Sequence, residues 1–264
     1  MIFKIMSKLF LKFKYKLARL FEQFPNLNFL ILNNLRFIKF LLPHDKDYLG
    51  IKLICKNRLD YQIIDIGGNI GSSILSFRSL GFENEILVFE PNDLLVKKYL
   101  CKIKSRDPHI KIFNYGLGDE DNSKILYIPY FNNLSLHTYS SFDKSFLLKG
   151  LKKSLPDLKI RIEEKIISIK KFDNLKFIKK PHLIKIDAEG FEVQIIHGMM
   201  MTIKKYMPIL LVEYKKEQIK EIIKILPHYF AYAYDLGSNS FKLFYPEKFN
   251  NIRNIYFIPK EFKW

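Results

Sequence analysis

Gln62-Ile63-Ile64-Asp65-Ile66-Gly67-Gly68-Asn69-Ile70-Gly71 is the stretch on which the fold turns. It opens as a short apolar run that reaches an acid, three glycines then stop any strand, and residues 72–80 continue with helical spacing. The same texture repeats outward. Residues 86–89 form a second apolar run closed by Glu90 and Pro91, Asp93 is placed to cap a helix over 94–103, and 110–113 reads as a third strand. Residues 183–186 and 209–212 are again short, apolar and followed by acids, with a helix over about 191–206 between them. Strands alternating with helices need crossover connections, hence a mostly parallel sheet covered on both faces. The expected fold is an open, doubly wound α/β domain over 55–264.

Such a sheet binds its ligand at the carboxyl ends of its strands. Those ends carry Asp65, Glu90, a turn over 116–119 that includes Gly118 and Asp119, Asp187 with Glu189, and Glu213. A rim this acidic would repel a phosphate. Glycine permits positive φ and close backbone approach, so residues 67–71 can wrap a ligand at a helix N-terminus. Glu90 follows Gly71 by 19 residues, where a nucleoside-binding domain places the acid that accepts from ribose hydroxyls. The nicotinamide pattern GxGxxG is absent, as are a P-loop and a nucleophile elbow. An acid just before the glycines suits a cofactor with a cationic tail. S-adenosylmethionine carries an ammonium and a sulfonium, and both gain Coulomb energy among carboxylates.

Composition bounds the rest. The chain has 264 residues, 48% hydrophobic and 27% charged, which is globular material sized for one large domain with an appendage. Its net charge of +17 is partly lysine background. No RNP-type motif, zinc-finger spacing or arginine stripe accompanies it, so nucleic acid is not expected as a partner. Cys55 and Cys101 lie in no CxxC spacing and are expected to be small buried hydrophobes. His44, His109, His137, His182, His197 and His228 show no metal spacing, so no metal is expected; of them, His197 follows the carboxylates most closely. Met199, Met200 and Met201 read as core filling. The charge-free run over 125–142 contains a proline, two asparagines and several hydroxyls, too polar for a membrane span. Lys4 and Lys8 interrupt the place of a signal-peptide core, so the expected location is cytoplasmic.

Residues 1–54 have a texture of their own. They carry ten basic and three acidic residues, and Ile2, Met6, Leu9, Phe13, Leu17, Leu20 and Phe24 share one helical face opposite Lys4, Lys8, Lys12, Lys16 and Arg19. This is an N-terminal basic amphipathic helical extension. It either packs on the domain or attaches weakly, through residues 1–24, to an anionic membrane surface at the inner face. Residues 29–42 form a second apolar stretch expected to pack on the main body.

Ile64 to Gly71, Val88-Phe89-Glu90-Pro91, Gly116-Leu117-Gly118-Asp119, Phe172-Asp173-Asn174-Leu175 and Leu183-Ile184-Lys185-Ile186-Asp187-Ala188-Glu189-Gly190-Phe191-Glu192, followed by Gly198 and by Pro208 to Glu213, stand in an order that resembles the FkbM family of S-adenosylmethionine-dependent methyltransferases. The resemblance covers roughly residues 58–240. It implies a Rossmann-like class I methyltransferase. Asp65, Gly67, Gly68, Asn69 and Gly71 would surround the methionine part of the cofactor. Glu90, with Pro91, would hold the ribose; Gly118 and Asp119 would lie near the adenine; Asp187, Glu189 and Glu213 would face the methyl group and the acceptor. Gly68 stands where the family often has alanine, and Phe172 where a small hydroxyl residue is common.

Methyl transfer to a hydroxyl needs alignment and a base for the acceptor proton. Asp187 is the first candidate for that base and Glu189 the second, against the plainer alternative that both only cap a helix. Residues 127–160 read as a long insertion with aromatic, amide and hydroxyl side chains suited to sugar rings; the stretch either covers the acceptor or is an ordinary surface insertion. The expected function is O-methylation of a glycan, glycolipid or related metabolite. The alternatives are N-methylation, a different small-molecule acceptor, or an inactive membrane-surface module with the same fold. Oligomeric state is not legible.

Overall fold

The computed structural model describes residues 43–55, 61–156, 158–176, 179–245 and 252–263. The amphipathic stretch over 1–24 and the apolar stretch over 29–42 lie outside the described residues.

A 3-10 turn (Lys46–Gly50) leads into α1 (Ile51–Ile54), then come β1 (Tyr61–Ile66), α2 (Ser72–Ser79) and β2 (Glu85–Phe89). The next helix runs as α3 (Asp93–Leu95), a π-helical turn (Val96–Leu100) and α4 (Cys101–Lys104). There follow β3 (Ile110–Phe113), β4 (Gly116–Gly118), β5 (Asn122–Phe131), β6 (Leu134–Ser135), α5 (Lys144–Ser154) and β7 (Arg161–Lys171). The chain continues with β8 (Lys180–Ile186), α6 (Glu192–Gly198), α7 (Met200–Tyr206), β9 (Ile209–Glu213), α8 (Lys216–Ile225), β10 (Tyr229–Asp235), β11 (Ser240–Leu243) and β12 (Asn254–Pro259).

Eight strands form the main sheet in the order β11-β10-β12-β9-β8-β1-β2-β3. From β9 to β3 every pairing is parallel, and β12, β10 and β11 add an antiparallel edge. Of the parallel strands, β2 and β9 are near-continuous apolar runs because they are buried on both faces. Side chains alternate between those faces. Ile64, Ile66, Ile184, Ile186, Leu210 and Val212 pack with α6, α7 and α8; Ile63, Val88, Leu183 and Leu211 pack with α1, α2 and the helix over 93–104. The doubly wound arrangement follows from that alternation. A smaller sheet, β4-β7-β5-β6, encloses a separate cluster of Leu126, Ile128, Tyr130, Ile167 and Ile169.

Four expectations need correction. Residues 43–54 belong to the domain body: the compact unit starts at Pro43, and Tyr48, Ile51 and Ile54 are buried in the main core. The turn expected over 116–119 is instead largely β4, a strand of the smaller sheet. Residues 127–160 are not a plain loop, since they finish β5, turn through β6 and carry α5. The helix expected over 191–206 divides at Met199. There the Asp173 carboxylate accepts from the backbone N–H groups of Met201 and Thr202 at 2.7 and 3.0 Å and starts α7 anew. Of the methionines, Met199 is core but Met201 is exposed; of the cysteines, Cys55 is buried and Cys101 is exposed.

Candidate active site

The site grows from strand register. Ile66 pairs with Phe89 on one side and Ile186 on the other, and Ile186 pairs with Val212. The next residues along each strand, Gly67, Glu90, Asp187 and Glu213, therefore stand in a row along one rim. Two cavities open there. The first is lined by Asn69, Glu90, Pro91 and Asn92, with Phe89, Leu117, Phe142 and Phe191 as apolar walls. The second is polar and lined by His44, Asp45, Ser72, Ser73, Thr138, Glu213, Tyr214, Arg253 and Asn254 among others. Gly67, Asn69, Asp187 and Glu189 line both, so the carboxylates of the last two stand where the cavities meet.

The first cavity is built by backbone. Gly67 has φ +77, and a Cβ there would fall 1.8 Å from the Asp187 carbonyl oxygen, so the turns after β1 and β8 are in contact. The Glu90 carboxylate accepts from the backbone N–H of Asn69 at 2.7 Å and of Asn92 at 2.8 Å. Burial outweighs those bonds and pushes its pKa up to about 7. Asn69 adopts φ 48, and its side-chain oxygen is buried with no hydrogen-bond partner among the described residues. An orphaned acceptor beside a carboxylate that can still accept from hydroxyls fits a ligand with an ammonium and a ribose, as S-adenosylmethionine has.

Several of the expected cofactor residues line neither cavity. Asp65 is fully buried and lines neither cavity. It points to the α2 face, where Ser73 donates to one carboxylate oxygen and Lys185 lies 3.2 Å from the other. Lys185 also donates to the carbonyls of Ile66 and Gly67 at 3.2 and 2.8 Å and lies 3.7 Å from Asp187. Asp65 therefore shapes the glycine turn from behind. Gly71 (φ +85) starts α2 and lines neither cavity. Gly118 and Asp119 also line neither, and Asp119 is exposed. A Cβ on Gly198 would strike the Gly118 carbonyl, so α6 packs against that end of β4. His197 is exposed and lines neither cavity, whereas His137 borders the first and His44 the second.

The second rim cluster holds Asp187, Glu189 and Glu213, whose carboxylate oxygens lie within 4.8 Å of one another. Two ammonium groups stand beside it, Lys185 at Asp187 and Lys215 at the two glutamates. Lys215 lies 2.6 Å from Glu213 and 3.4 Å from Glu189 and Glu192. Burial, with the charges of Glu213 and Asp187, pushes the Glu189 pKa up to about 8 against the pull of Lys215; burial and Asp187 raise Glu213 as well. Glu189 also sits at φ 48, a backbone state that costs a non-glycine residue of order 1–3 kcal/mol and is held by its surroundings.

Sequence reasoning missed Lys185 and Lys215 as members of the site, and the cavity wall formed by His44, Asp45, Arg253 and Asn254. A lysine inside a buried strand needs an acid at its own level, and Lys185 pairs in register with Asp65, so that signal was present. The wall was invisible because it joins segments about 209 residues apart, tied by Asn254 donating to Asp45 and Asp47.

The profile of the Methyltransferase FkbM domain family matches residues 65–236. The chain belongs to the FkbM methyltransferase family. The match takes in every strand end that forms the rim and leaves out the wall residues His44, Asp45, Arg253 and Asn254. Methyltransferase 1 of Beauveria bassiana (strain ARSEF 2860) is 27% identical over 148 residues, which cover 53% of this chain and 59% of that protein. The chain thus spans less than two thirds of that relative's length. Among solved structures, Methyltransferase FkbM from Methylobacillus flagellatus KT aligns with 75% of this chain and 44% of its own, at 17% identity and a TM-score of 0.47. Precorrin-6y C5,15-methyltransferase from Geobacter metallireducens GS-15 aligns with 79% of this chain and 82% of its own, at 12% identity and a TM-score of 0.38. No helix among the described residues is long and apolar enough to cross a membrane.

Proposed function

We propose that this FkbM-family chain transfers a methyl group from S-adenosylmethionine to a hydroxyl of a glycan, glycolipid or related metabolite. The observation that carries the reading is the meeting of an apolar-walled, nucleoside-suited cavity with a polar cavity at Asp187 and Glu189. The first cavity would take the cofactor, with Glu90 on the ribose hydroxyls and Asn69 toward the amino acid end. When bound, S-adenosylmethionine supplies a methyl group on a cationic sulfur. The chain's own residues do the rest. Phe89, Leu117 and Phe191 exclude water from one side, and the polar cavity offers side-chain acceptors and donors at several angles, as a ring of hydroxyls requires. Glu189 accepts the acceptor's proton on its carboxylate, a role better suited to its raised pKa than to Asp187, which lies beside Lys185.

His137, Ser140, Ser141 and Phe142, from the stretch over 127–160, border the cofactor cavity, and Thr138 borders the acceptor cavity. That stretch covers the acceptor in this reading. The basic amphipathic spacing of residues 1–24 supports, within this reading, weak attachment to an anionic membrane surface at the inner face.

Incubating the full chain with methyl-labelled S-adenosylmethionine and fractionated cell envelope tests the reading. The expected result is label in the glycan or glycolipid fraction, recovered as an O-methyl ether by mass spectrometry. No heat on calorimetric titration with the cofactor, or label confined to protein, would contradict it.

A further inference from the structure

Lys215 stands between the last residues of β9 and the first turn of α8, with its side chain turned inward and 18% exposed. Its ammonium meets three carboxylates: Glu213 at 2.6 Å, Glu189 at 3.4 Å and Glu192 at 3.4 Å, and the ring of Phe146 covers it at 5.8 Å. Glu192 is fully buried, and one of its oxygens accepts from the N–H groups of Ala188 and Gly190 at 3.1 and 3.2 Å. One turn into the same helix, Gln218 donates to the Gly190 carbonyl at 2.7 Å. The start of α8 therefore braces the whole turn that presents Asp187 and Glu189.

We propose that Lys215 is a positioning residue: beside Lys185, which lies 3.7 Å from Asp187, it is the cation that lets Glu189 and Glu213 stand together, and it fills the place a divalent metal ion would otherwise take. Three carboxylates with oxygens within 4.8 Å are a hard-cation ligand set, and they repel one another unless a positive charge sits among them. An ammonium 2.6 Å from one and 3.4 Å from a second supplies that charge from the chain itself. Through Glu192 the same cation is tied to the backbone of the turn, so Lys215 links the charge of Glu189 and Glu213 to the geometry of that turn. A divalent ion held tightly by the same acids would have to displace the Lys215 ammonium from Glu213 and Glu189.

A titration with manganese chloride tests this without cofactor or acceptor, so its outcome is separate from that of the functional reading. The full chain, Lys215→Met and Lys215→Arg are followed by electron paramagnetic resonance of free manganese at neutral pH. The expected result is one manganese ion bound by Lys215→Met at least about tenfold more tightly than by wild type, with Lys215→Arg like wild type. The double variant Lys215→Met/Glu189→Gln should lose the gained binding and also relieves the excess of acids if the single variant folds poorly. Wild type binding one ion as tightly as Lys215→Met, or Lys215→Met gaining no binding while folded, would overturn the proposal. Should Lys215→Met not fold, strong stoichiometric binding by wild type that Glu213→Gln abolishes would overturn it equally.

Discussion

Gly67 and Asp187 touch through their backbones: a Cβ on the glycine would lie 1.8 Å from the aspartate's carbonyl oxygen. The two turns that form the floor of both cavities are thus held at the closest approach that backbone atoms allow. Gly67→Ala must push them apart and also places a side chain at φ +77. The expected loss is about 1–3 kcal/mol of stability from the backbone state alone. Affinity for S-adenosylmethionine should fall at least about tenfold, the equivalent of 1.4 kcal/mol. Gly81 has φ +86 with open space around its Cβ position, so Gly81→Ala isolates backbone strain from the contact. Urea unfolding and calorimetry separate the two; equal cofactor affinity in both variants would show the contact to be dispensable.

Asp65 and Lys185 form the buried pair behind that floor, 3.2 Å apart with side chains 0% and 4% exposed. Burial lowers the lysine's pKa, but Asp65 and Asp187 raise it further, so it stays charged. Removing the lysine leaves the fully buried Asp65 carboxylate with only the Ser73 hydroxyl bonded to it among the described residues. Lys185→Met should cost about 3–5 kcal/mol in urea unfolding. Asp65→Asn with Lys185→Met should cost clearly less than the sum of the single changes, and strict additivity would rule out the coupling.

The main sheet was legible because its four central parallel strands, β1, β2, β8 and β9, are short runs closed by an acid or glycine, as in 86–89 before Glu90. Local pattern stopped being informative where a residue's role depends on which face it points to. Asp65 and Glu90 both sit at strand ends. Alternation sends Asp65 into the α2 face, while Glu90, one step beyond its strand, turns into the cavity. Asp119 is exposed at the end of β4, where α6 packs through Gly198, and that packing has no local signature in the sequence. The split at Met199 was likewise hidden in Asp173, 28 residues away from the N–H it caps.

Glu90 titrates near neutrality because it is buried. Its folded pKa of about 7 exceeds the ordinary value of 4.5, so the folded state holds a proton that the unfolded state has released. Its stabilising contribution is complete below about pH 4.5 and lost as pH rises through about 7. Glu90→Gln faces a backbone N–H with an amide and carries a fixed cost, but it has no such slope. Wild-type stability should therefore fall relative to Glu90→Gln between pH 4.5 and 8, by about 1–3 kcal/mol. Ionised Glu90 is the better acceptor for ribose hydroxyls, so wild-type cofactor affinity should rise over the same window and that of Glu90→Gln should not. A flat stability difference across the range would count against a buried, shifted Glu90.

Glu189 carries the sharpest kinetic expectation. Its pKa of about 8, raised by burial and by Glu213 and Asp187, means that only the fraction ionised can take a proton from the acceptor hydroxyl. Transfer should rise with pH and level off above about 8. Glu189→Gln should lower kcat by about 10²–10⁴-fold, erase that limb and leave cofactor affinity within a few-fold. Asp187→Asn keeps Glu189 as base but removes one of the charges that raises it, so its limb should move to lower pH with a smaller loss of rate. The acceptor fraction that takes label from S-adenosylmethionine serves as substrate for all three proteins. If Asp187→Asn abolished the limb and Glu189→Gln transferred methyl groups at the wild-type rate, the base would be Asp187, and Glu189 would serve only to hold the turn.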